Sequence, residues 1–390
     1  MRCDVAIVGA GPAGLSFARA LAPTGLRIAL VEKQSLAVLE HPPYDGREIA
    51  LTHLSHKIMQ ELGMWERLPE QAISLIRHAK VLNGESLYSL DFDFEETGRD
   101  NLGFMTSNHY IRKAAFESLA GFENVDLLTE AEVVGASVEG PRAHVELADG
   151  RRLEAKLLVA ADSRFSKLRD MMGIKTDRLD FKRDCIVCKM SHDSPDNDTA
   201  CECFQYDRTL AILPLNNSEV SLVLTLRAQD SAGVLALSPE AFAQDIEKRT
   251  AGRFQGLKLA TKLYPYPLVA TFARTFYGPR FALIGDSAVG MHPVTAHGFN
   301  LGLRGAHTLA GEIANALALG GDIGSTIPLA RYSRTHRQVC APLYQGTNAL
   351  VRLYTNTHPL AKIARHGLLR LGNRIGPAKK LILDQLTELQ

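Results

Sequence analysis

Three glycines at fixed spacing are the first candidates for chemistry. Gly9, Gly11 and Gly14 follow a short apolar, β-branched run and precede a segment with helical character, in the order Gly-Ala-Gly-Pro-Ala-Gly. The first glycine permits a tight turn, the second lets the backbone approach a pyrophosphate, and the third lets the helix pack against the strand. The N–H groups at the start of the helix attract phosphate oxygens. The motif, which includes Pro12 and Ala13, therefore predicts a dinucleotide site.

Glu32 supplies the acidic residue that such a site needs. It lies 18 residues after Gly14 and follows a second apolar run, residues 27–31. A carboxylate here can accept hydrogen bonds from the adenosine ribose hydroxyls. Its charge also repels a 2′-phosphate, which argues against NADP in this site. Strand, helix and second strand form a β-α-β unit, a context that a chance glycine cluster lacks. We place Lys33, the next residue, in the same cofactor site.

A second motif, in residues 280–303, favours FAD over NAD. A buried strand delivers Gly285 and Asp286, and the Asp286 carboxylate can accept a hydrogen bond from a ribityl hydroxyl. A helix begins near Gly298, and its N-terminal amides can face the flavin pyrimidine ring, where negative charge collects on reduction. The predicted cofactor residues of this motif are Gly285, Asp286, Gly298, Phe299 and Asn300.

With both motifs present, the chain resembles the group A flavoprotein hydroxylases, which have the fold of para-hydroxybenzoate hydroxylase. The strand, the Gly-Asp pair, the proline and the Gly-x-Asn-x-Gly helix start resemble the second FAD motif of that family. Residues 161–169, Ala-Asp-Ser-Arg-Phe-Ser-Lys-Leu-Arg, correspond to its third motif. Within the family the chain is most similar to the ubiquinone-biosynthesis hydroxylases. The stretches that carry this likeness are 45–55, 103–119, 211–215 and 356–360.

The resemblance implies an α/β fold. A Rossmann-type FAD-binding domain is interleaved with a β-sheet substrate domain, and C-terminal helices follow. We expect the FAD-binding domain at residues 1–75, 106–178 and 276–345, the substrate domain at 76–105 and 179–275, and a helical segment at 346–390. Within the first domain, Arg142–Leu147 and residues 152–159 are each predicted to form one strand.

The same resemblance implies an FAD-dependent aromatic monooxygenase. Such an enzyme uses NADH or NADPH and dioxygen to hydroxylate a polyprenylated phenol or quinol in ubiquinone biosynthesis, through a C4a-hydroperoxyflavin. The resemblance also implies that Arg47 lies near the adenosine ribose and pyrophosphate, that Arg112 contacts the flavin, and that Asp162 lies near the pyrophosphate and the nicotinamide approach. Two alternatives stay open: a flavin-dependent reductase of prenyl-chain double bonds, and a non-catalytic FAD-binding protein of the ubiquinone-synthesis assembly.

Three departures from the family pattern involve four residues. Ser163 replaces a usual glycine, Val289 stands where many relatives carry histidine, and Ala296-His297 replaces a common Gly-Gln pair. The serine at position 163 argues against a nicotinamide-binding role for its loop. The three departures together keep open the alternative of a non-catalytic accessory protein. The form His-Pro-Val-Thr-Ala-His-Gly-Phe-Asn, residues 292–300, is similar to the branch linked to demethoxyubiquinol hydroxylation.

The loop expected to face the isoalloxazine carries the candidate catalytic residues. His292 and His297 are the candidates for proton handling, and Pro293 is expected to wall the flavin ring. Such hydroxylases need little else from side chains, because the protein mainly shields the reactive flavin from water and positions the substrate ring. The alternative role for both histidines is purely structural hydrogen bonding. The alternative for the proline is that it is an ordinary loop residue with no contact to the flavin.

Four cysteines form a C-x₂-C and C-x-C set that raises the question of zinc. Cys201 and Cys203 lie two residues apart in a strand-like run and share one face, whereas Cys185 and Cys188 point to opposite faces. A tetrahedral site normally comes from tight turns, and no glycine follows either pair. We therefore expect small core residues and no metal.

Composition and the C-terminal segment set the remaining expectations. A formal net charge of +1 over 390 residues gives no reason to expect nucleic acid as a partner. Scattered cysteines, the lack of a signal-peptide pattern and the lack of a long apolar stretch predict a reduced, cytoplasmic protein. Residues 352–390 carry seven Lys or Arg against Asp384 and Glu388, 7 − 2 = +5, with apolar residues at helical spacing. Such a helix can lie on the inner face of the cytoplasmic membrane or pack on the enzyme, and both are left open.

Overall fold

The computed structural model describes residues 1–83, 89–195, 198–205, 208–250 and 253–355, together with Lys379, Leu383, Thr387 and Glu388. Its strands are β1 (Val5–Val8), β2 (Ile28–Val31), β3 (Glu48–Leu51), β4 (Ser74–Ile76), β5 (His78–Asn83), β6 (Ser89–Asp93), β7 (Gly103–Ser107), β8 (Val125–Leu128), β9 (Val133–Glu139), β10 (Arg142–Leu147), β11 (Arg152–Ala155), β12 (Leu157–Ala160), β13 (Thr176–Ser191), β14 (Thr199–Phe204), β15 (Thr209–Pro214), β16 (Glu219–Arg227), β17 (Lys258–Leu259), β18 (Tyr264–Ala273), β19 (Tyr277–Gly278), β20 (Phe281–Leu283) and β21 (Val289–Gly290). Its helices are α1 (Pro12–Leu21), α2 (Leu36–Glu40), α3 (His53–Glu61), α4 (Asn108–Glu117), α5 (Lys167–Met171), α6 (Ala228–Leu235), α7 (Pro239–Arg249), α8 (His297–Ala318) and α9 (Thr326–Thr355).

A mainly parallel sheet forms the nucleotide-binding layer. Its strand order is β19-β20-β12-β1-β2-β8, with β19 antiparallel to β20. Strands β1, β2 and β12 are buried along their whole length, as expected when both faces of a parallel sheet are covered. Helix α1 connects β1 to β2 and packs against α8. The β-α-β unit predicted from the glycine motif is confirmed.

The single strand predicted at residues 152–159 is wrong. β11 alternates exposed and buried residues and pairs antiparallel with β10, whereas β12 is continuously buried and pairs parallel with β1. Lys156 separates the two strands, and its ammonium lies 2.8 Å from the Asp4 carboxylate. The reason is a change of environment: β11 belongs to a small sheet with one solvated face, and β12 lies inside the nucleotide layer.

A second large sheet forms the substrate domain. Its order is β21-β18-β13-β16-β15-β14-β5-β6, and β17 also pairs with β13. Adjacent strands are antiparallel except β14 and β5. The sheet draws on residues 78–93 and 176–273, and β21 adds a short strand from the second FAD motif. This last pairing joins the predicted cofactor loop directly to the substrate sheet.

The two faces of this sheet have different neighbours. Ile186 and Cys188 pack in one cluster with Phe242 and Ile246 of α7. The alternating residues, among them Val187, pack in another cluster with tyrosines of β18. We call this second surface the inner face, because its side chains contact the FAD-binding domain. The small sheet β3-β7-β4 lies at that contact.

Candidate functional site

The glycine turn after β1 leaves an open concavity. A Cβ atom on Gly9 would lie 2.4 Å from the carbonyl oxygen of Ala161, and one on Gly14 would lie 1.9 Å from the carbonyl oxygen of Gly9. A Cβ atom on Gly11 would meet no atom within 4 Å. Gly9 and Gly14 are thus required by the fold itself, whereas Gly11 borders open space. This is the cradle that a pyrophosphate would fill, and it fits the FAD predicted from the motif.

Glu32 stabilises the backbone of the glycine turn through hydrogen bonds and also borders the open space. Its buried carboxylate accepts hydrogen bonds from the backbone N–H of Ala10, at 2.7 Å, and of Gln34, at 2.9 Å. A carboxylate has about four acceptor positions, so two ribose hydroxyls can still be bound. Lys33, by contrast, is exposed.

Two guanidinium groups lie near the cradle. Arg47 pairs with Asp45, whose carboxylate also accepts a hydrogen bond from Asn108 at 2.8 Å. Burial opposes ionisation of Asp45, but the bonds to Arg47 lower its pKa overall. Arg112 donates a hydrogen bond to Gln34 at 3.1 Å, and its pKa is lowered by burial. Two cations beside a glycine turn suit the two charges of a pyrophosphate.

Asp162 lies next to the turn, and one of its carboxylate oxygens is engaged by the backbone. Its carboxylate accepts a hydrogen bond from the backbone N–H of Leu168 at 3.2 Å and so serves the start of α5. Burial raises its pKa. The neighbouring Ser163 has φ +103°, a conformation that favours glycine. The serine therefore keeps the backbone shape of the family's usual glycine.

Asp286 shares its carboxylate with an arginine that the motif did not predict. Arg164 contacts this carboxylate and also donates hydrogen bonds to the carbonyl oxygens of Val269, at 2.8 Å, and Met291, at 3.4 Å. A Cβ atom on Gly290 would lie 2.6 Å from the Arg164 side chain, so only a glycine at this position leaves space for the arginine. Gly285, with φ +60°, starts the tight turn that presents Asp286. Because about four acceptor positions are present, Asp286 keeps capacity for a ribityl hydroxyl.

The start of α8 is anchored by Asn300. Its amide donates to the carbonyl oxygens of Ala50 and Ala296, both at 2.9 Å, and accepts from the N–H of Thr52 at 3.2 Å. The Asn300 side chain therefore ties β3 to α8, a structural role beside the predicted cofactor role. Ala296 has φ +53°, so the left-handed turn persists without the family's glycine. Of the motif's other residues, Phe299 is half-buried, and Gly298 has open space at its Cβ position.

His292 and Pro293 lie on the loop between β21 and α8, and His297 is the first residue of α8. His292 is 4% exposed, and its Nδ1 accepts a hydrogen bond from the N–H of Val294 at 3.1 Å, which assigns the proton to Nε2. Burial, with Arg164 and Arg183 nearby, lowers its pKa to about 4. Its Nε2 has no hydrogen-bond partner among the described residues. His297 is buried, whereas Pro293 is exposed, as a residue that walls a ligand must be.

His292 also meets the substrate sheet. Its ring lies edge-to-face with that of Phe181, with centroids 4.9 Å apart. Phe181 lies in an irregular stretch of β13, between Asp180 and Asp184, where the pairing with β18 shifts register. The irregularity thus brings a β13 aromatic ring against the predicted flavin loop.

A buried ion pair joins the two domains, and sequence reasoning missed it. Glu48, with 1% of its side chain exposed, pairs with Lys189 of β13 at 3.1 Å. Its carboxylate also accepts hydrogen bonds from Ser107, at 2.6 Å, and from Tyr44, at 3.2 Å. Burial raises the pKa of Glu48 against the opposing effect of Lys189. The signal in the sequence that could have indicated this ion pair was the charged residue Glu48 directly after Asp45-Gly46-Arg47.

The predicted geometry of the four clustered cysteines is confirmed. Cys201, Cys203 and Cys188 belong to the cluster that faces α7, and Cys185 belongs to the inner face. Burial raises the pKa of both Cys185 and Cys188 to about 12. Within the described part of the chain, no group of three or more His, Cys, Asp or Glu is arranged to hold a metal ion.

Comparison with known proteins agrees with this geometry. A family model described as FAD binding domain matches residues 2–347. The chain is 48% identical to ubiquinone hydroxylase UbiM of Neisseria meningitidis, covering 99% of this chain and 85% of that protein. It is 30% identical to ubiquinone hydroxylase UbiL of Rhodospirillum rubrum, covering 97% and 88%. Among solved structures, p-nitrophenol 4-monooxygenase PnpA of Pseudomonas putida is similar, with a TM-score of 0.79 at 18% identity and coverage of 99% and 98%.

The nucleotide layer, the open glycine cradle and the loop that meets a substrate sheet define a class, the FAD-dependent monooxygenases. The structural likeness at 18% identity supports the fold of that class. Within it, this chain belongs to the FAD-binding domain family and to its ubiquinone hydroxylases. The predicted fold class, family and FAD cofactor are confirmed. The assignment of individual site residues stays a prediction.

Proposed function

We propose that this chain hydroxylates the aromatic ring of a polyprenylated phenol or quinol in ubiquinone biosynthesis, using NADH or NADPH and dioxygen. The observation that carries the proposal is the junction of β21 with β18. This pairing joins the loop that carries His292 and Pro293 to the edge of the substrate sheet, where the His292 ring contacts Phe181 of β13. The names of the relatives UbiM and UbiL point to the same substrate class.

The chain's own residues bind, orient and exclude water. Bound FAD supplies the redox chemistry that activates dioxygen. Arg47 and Arg112 would neutralise the pyrophosphate beside Gly11, and Asp286 would accept a hydrogen bond from a ribityl hydroxyl. The N-terminal amides of α8 would stabilise negative charge on a flavin bound at this end of the helix. The apolar inner face keeps water from the reacting ring.

His292 acts in this proposal as a neutral hydrogen-bond donor. Its pKa of about 4 keeps it uncharged at neutral pH, and its Nε2–H lacks a partner among the described residues. A buried donor without a partner is costly, and a ligand oxygen would satisfy it. The structural alternative, a cap for Val294, uses the other ring nitrogen and is compatible with this role.

The test is oxygen incorporation. Purified holoenzyme is given 2-(3-methylbut-2-enyl)phenol, NADH or NADPH, and ¹⁸O₂, and products are analysed by mass spectrometry. A ring-hydroxylated product carrying one ¹⁸O supports the proposal. Saturation of the side-chain double bond without ring oxygen would show the reductase instead. Bound FAD that neither cofactor reduces would show an accessory protein.

Peripheral membrane contact is a further part of the proposal. Residues 352–390 carry the basic segment, and most of them lie outside the described residues. Of those described, Lys379 pairs with Glu96 at 2.7 Å. No helix among the described residues is long and apolar enough to span a membrane. A polyprenylated substrate is held by lipid, so we expect co-sedimentation with anionic vesicles that weakens with salt. Sedimentation that is absent or insensitive to salt would refute it.

A further inference from the structure

Glu202 is a carboxylate on the inner face of the substrate sheet. It lies in β14 between Cys201 and Cys203, which both pack in the cluster facing α7. Because successive side chains of a strand point to opposite faces, the Glu202 side chain points toward the FAD-binding domain. A glutamate in the middle of a strand that is otherwise apolar or small is unusual there.

The strand register places small and apolar neighbours beside Glu202. Directly paired residues share a face of the sheet, so the row that contains Glu202 can be followed from strand to strand. This row runs Val81, Glu202, Ala211, Val223, Val187 and Tyr264. At its far end, the Tyr264 ring approaches Gly46 of the FAD-binding domain, where a Cβ atom would lie 2.5 Å away. The row therefore leads from Glu202 to the domain contact across small side chains.

The Glu202 carboxylate has no hydrogen-bond or ion-pair partner among the described residues, and the residue is half-buried. Burial, and the charge of the neighbouring Cys201, raise its pKa to about 8. Burying a carboxyl group without a partner costs stability, which is the pattern expected where a ligand supplies the missing bond.

A second polar group on the same face also lacks a partner. Ser221 is 1% exposed, and its hydroxyl makes no hydrogen bond to any described residue. Ser221 pairs directly with Lys189, whose ammonium reaches Glu48 across the domain contact, so the serine side chain is on the inner face. Two unpartnered polar groups on one apolar face indicate a binding site for a ring that carries oxygen.

We propose that Glu202 binds a ring oxygen of the phenol or quinol substrate, with the ring lying over Ala211 and Val223. This inference rests on the proposed function, since it specifies how the same site recognises its substrate. A protonated carboxyl group donates one hydrogen bond to a ring oxygen and accepts one from a ring hydroxyl. Glu202 then selects ring compounds with a free hydroxyl over their methyl ethers.

The test compares two ligands across three variants. 2-(3-Methylbut-2-enyl)phenol and its methyl ether are titrated into holoenzyme, and binding is followed by the change in the flavin absorbance spectrum. Wild type is expected to bind the phenol at least tenfold more tightly than the ether. Glu202→Leu should abolish this preference. Glu202→Gln, which keeps one donor and one acceptor, should retain most of it. Asp91→Asn, an exposed carboxylate on the outer strand β6, is the matched control and should behave as wild type.

FAD affinity and thermal stability separate this role from a structural one. Glu202→Leu should leave FAD affinity unchanged and should not lower the melting temperature, because it removes an unpartnered buried carboxyl group. The proposal is overturned if Glu202→Leu keeps the phenol preference, or if it loses FAD or melts at lower temperature. Should wild type bind the phenol without hydroxylating it, the proposed function fails while the assignment of Glu202 stands on the binding data.

Discussion

The guanidinium of Arg164 donates two hydrogen bonds to a single oxygen of Asp286, from Nε at 3.2 Å and from Nη2 at 3.1 Å. Both residues lie in motifs of the FAD site, yet they are 122 positions apart in the chain. The same guanidinium reaches β18 of the substrate sheet through Val269. Arg164 therefore links the cofactor loop to the substrate domain and fixes the direction of the Asp286 carboxylate.

Replacing Arg164 should weaken FAD binding without unfolding the protein. Arg164→Met removes the bonds that orient Asp286, and we expect about a tenfold loss of FAD affinity, or about 1.4 kcal/mol, within the range of a hydrogen bond to a charged group. FAD titration of apoprotein measures it. The control is Arg274→Met, which breaks an exposed ion pair with Asp177. Equal FAD affinity in the two variants would contradict the assigned role.

The two outer glycines and the middle glycine of the first motif should respond differently to substitution. Gly14→Ala forces a Cβ atom onto the carbonyl oxygen of Gly9 and should destabilise the fold. Gly11→Asp places bulk and negative charge in the open cradle, so it should yield a folded protein without FAD. Circular dichroism and flavin absorbance report the two properties separately. If the Gly11→Asp protein keeps its full yellow colour, the pyrophosphate of FAD does not bind in the open space at Gly11.

Protonation of His292 should contribute to acid destabilisation. Its folded pKa is about 4 because the ring is buried near Arg164 and Arg183, whereas an unfolded histidine has a pKa near 6.5. Between these values the unfolded state binds the extra proton, so stability falls as pH falls through this window. Going from pH 7 to 5, wild type should lose on the order of 2 kcal/mol more than His292→Asn.

The asparagine in that variant can still cap the backbone N–H of Val294, so the comparison isolates the titration. Urea unfolding of the holoenzyme at pH 7 and pH 5 provides the free energies of unfolding. Identical losses in both proteins would show that His292 is not buried in its neutral form.

Removing one partner of the ion pair between Glu48 and Lys189 should lower the free energy of unfolding more than removing both partners. Lys189→Met leaves a buried carboxylate without its cation, and we expect a loss of about 3 kcal/mol in the free energy of unfolding. The double variant Glu48→Gln with Lys189→Met removes both charges and should recover most of that loss. Urea unfolding measures both proteins. If the double variant is less stable than Lys189→Met, the unpaired charge of Glu48 is not what makes the loss of Lys189 costly.

The local units of this protein follow from residues that lie close together in the chain. Gly9, Gly14 and Glu32 could be assigned because the β-α-β turn is formed by residues close in the chain, whose spacing is set by strand and helix geometry. The same holds for Cys201 and Cys203, since alternation along one strand places them on one face whatever pairs with it. The resemblance to a known family extended these local assignments to the fold and the cofactor.

Contacts between groups far apart in the chain depend on the tertiary structure. Nothing local to Arg164 indicates that it bonds Asp286, and nothing local to Glu202 indicates that its face of the sheet turns toward the FAD-binding domain. The split of residues 152–159 into β11 and β12 likewise depends on which sheet each half joins. Burial and pairing follow from strand order, and strand order depends on contacts between residues far apart in the chain, which local pattern and propensity do not encode.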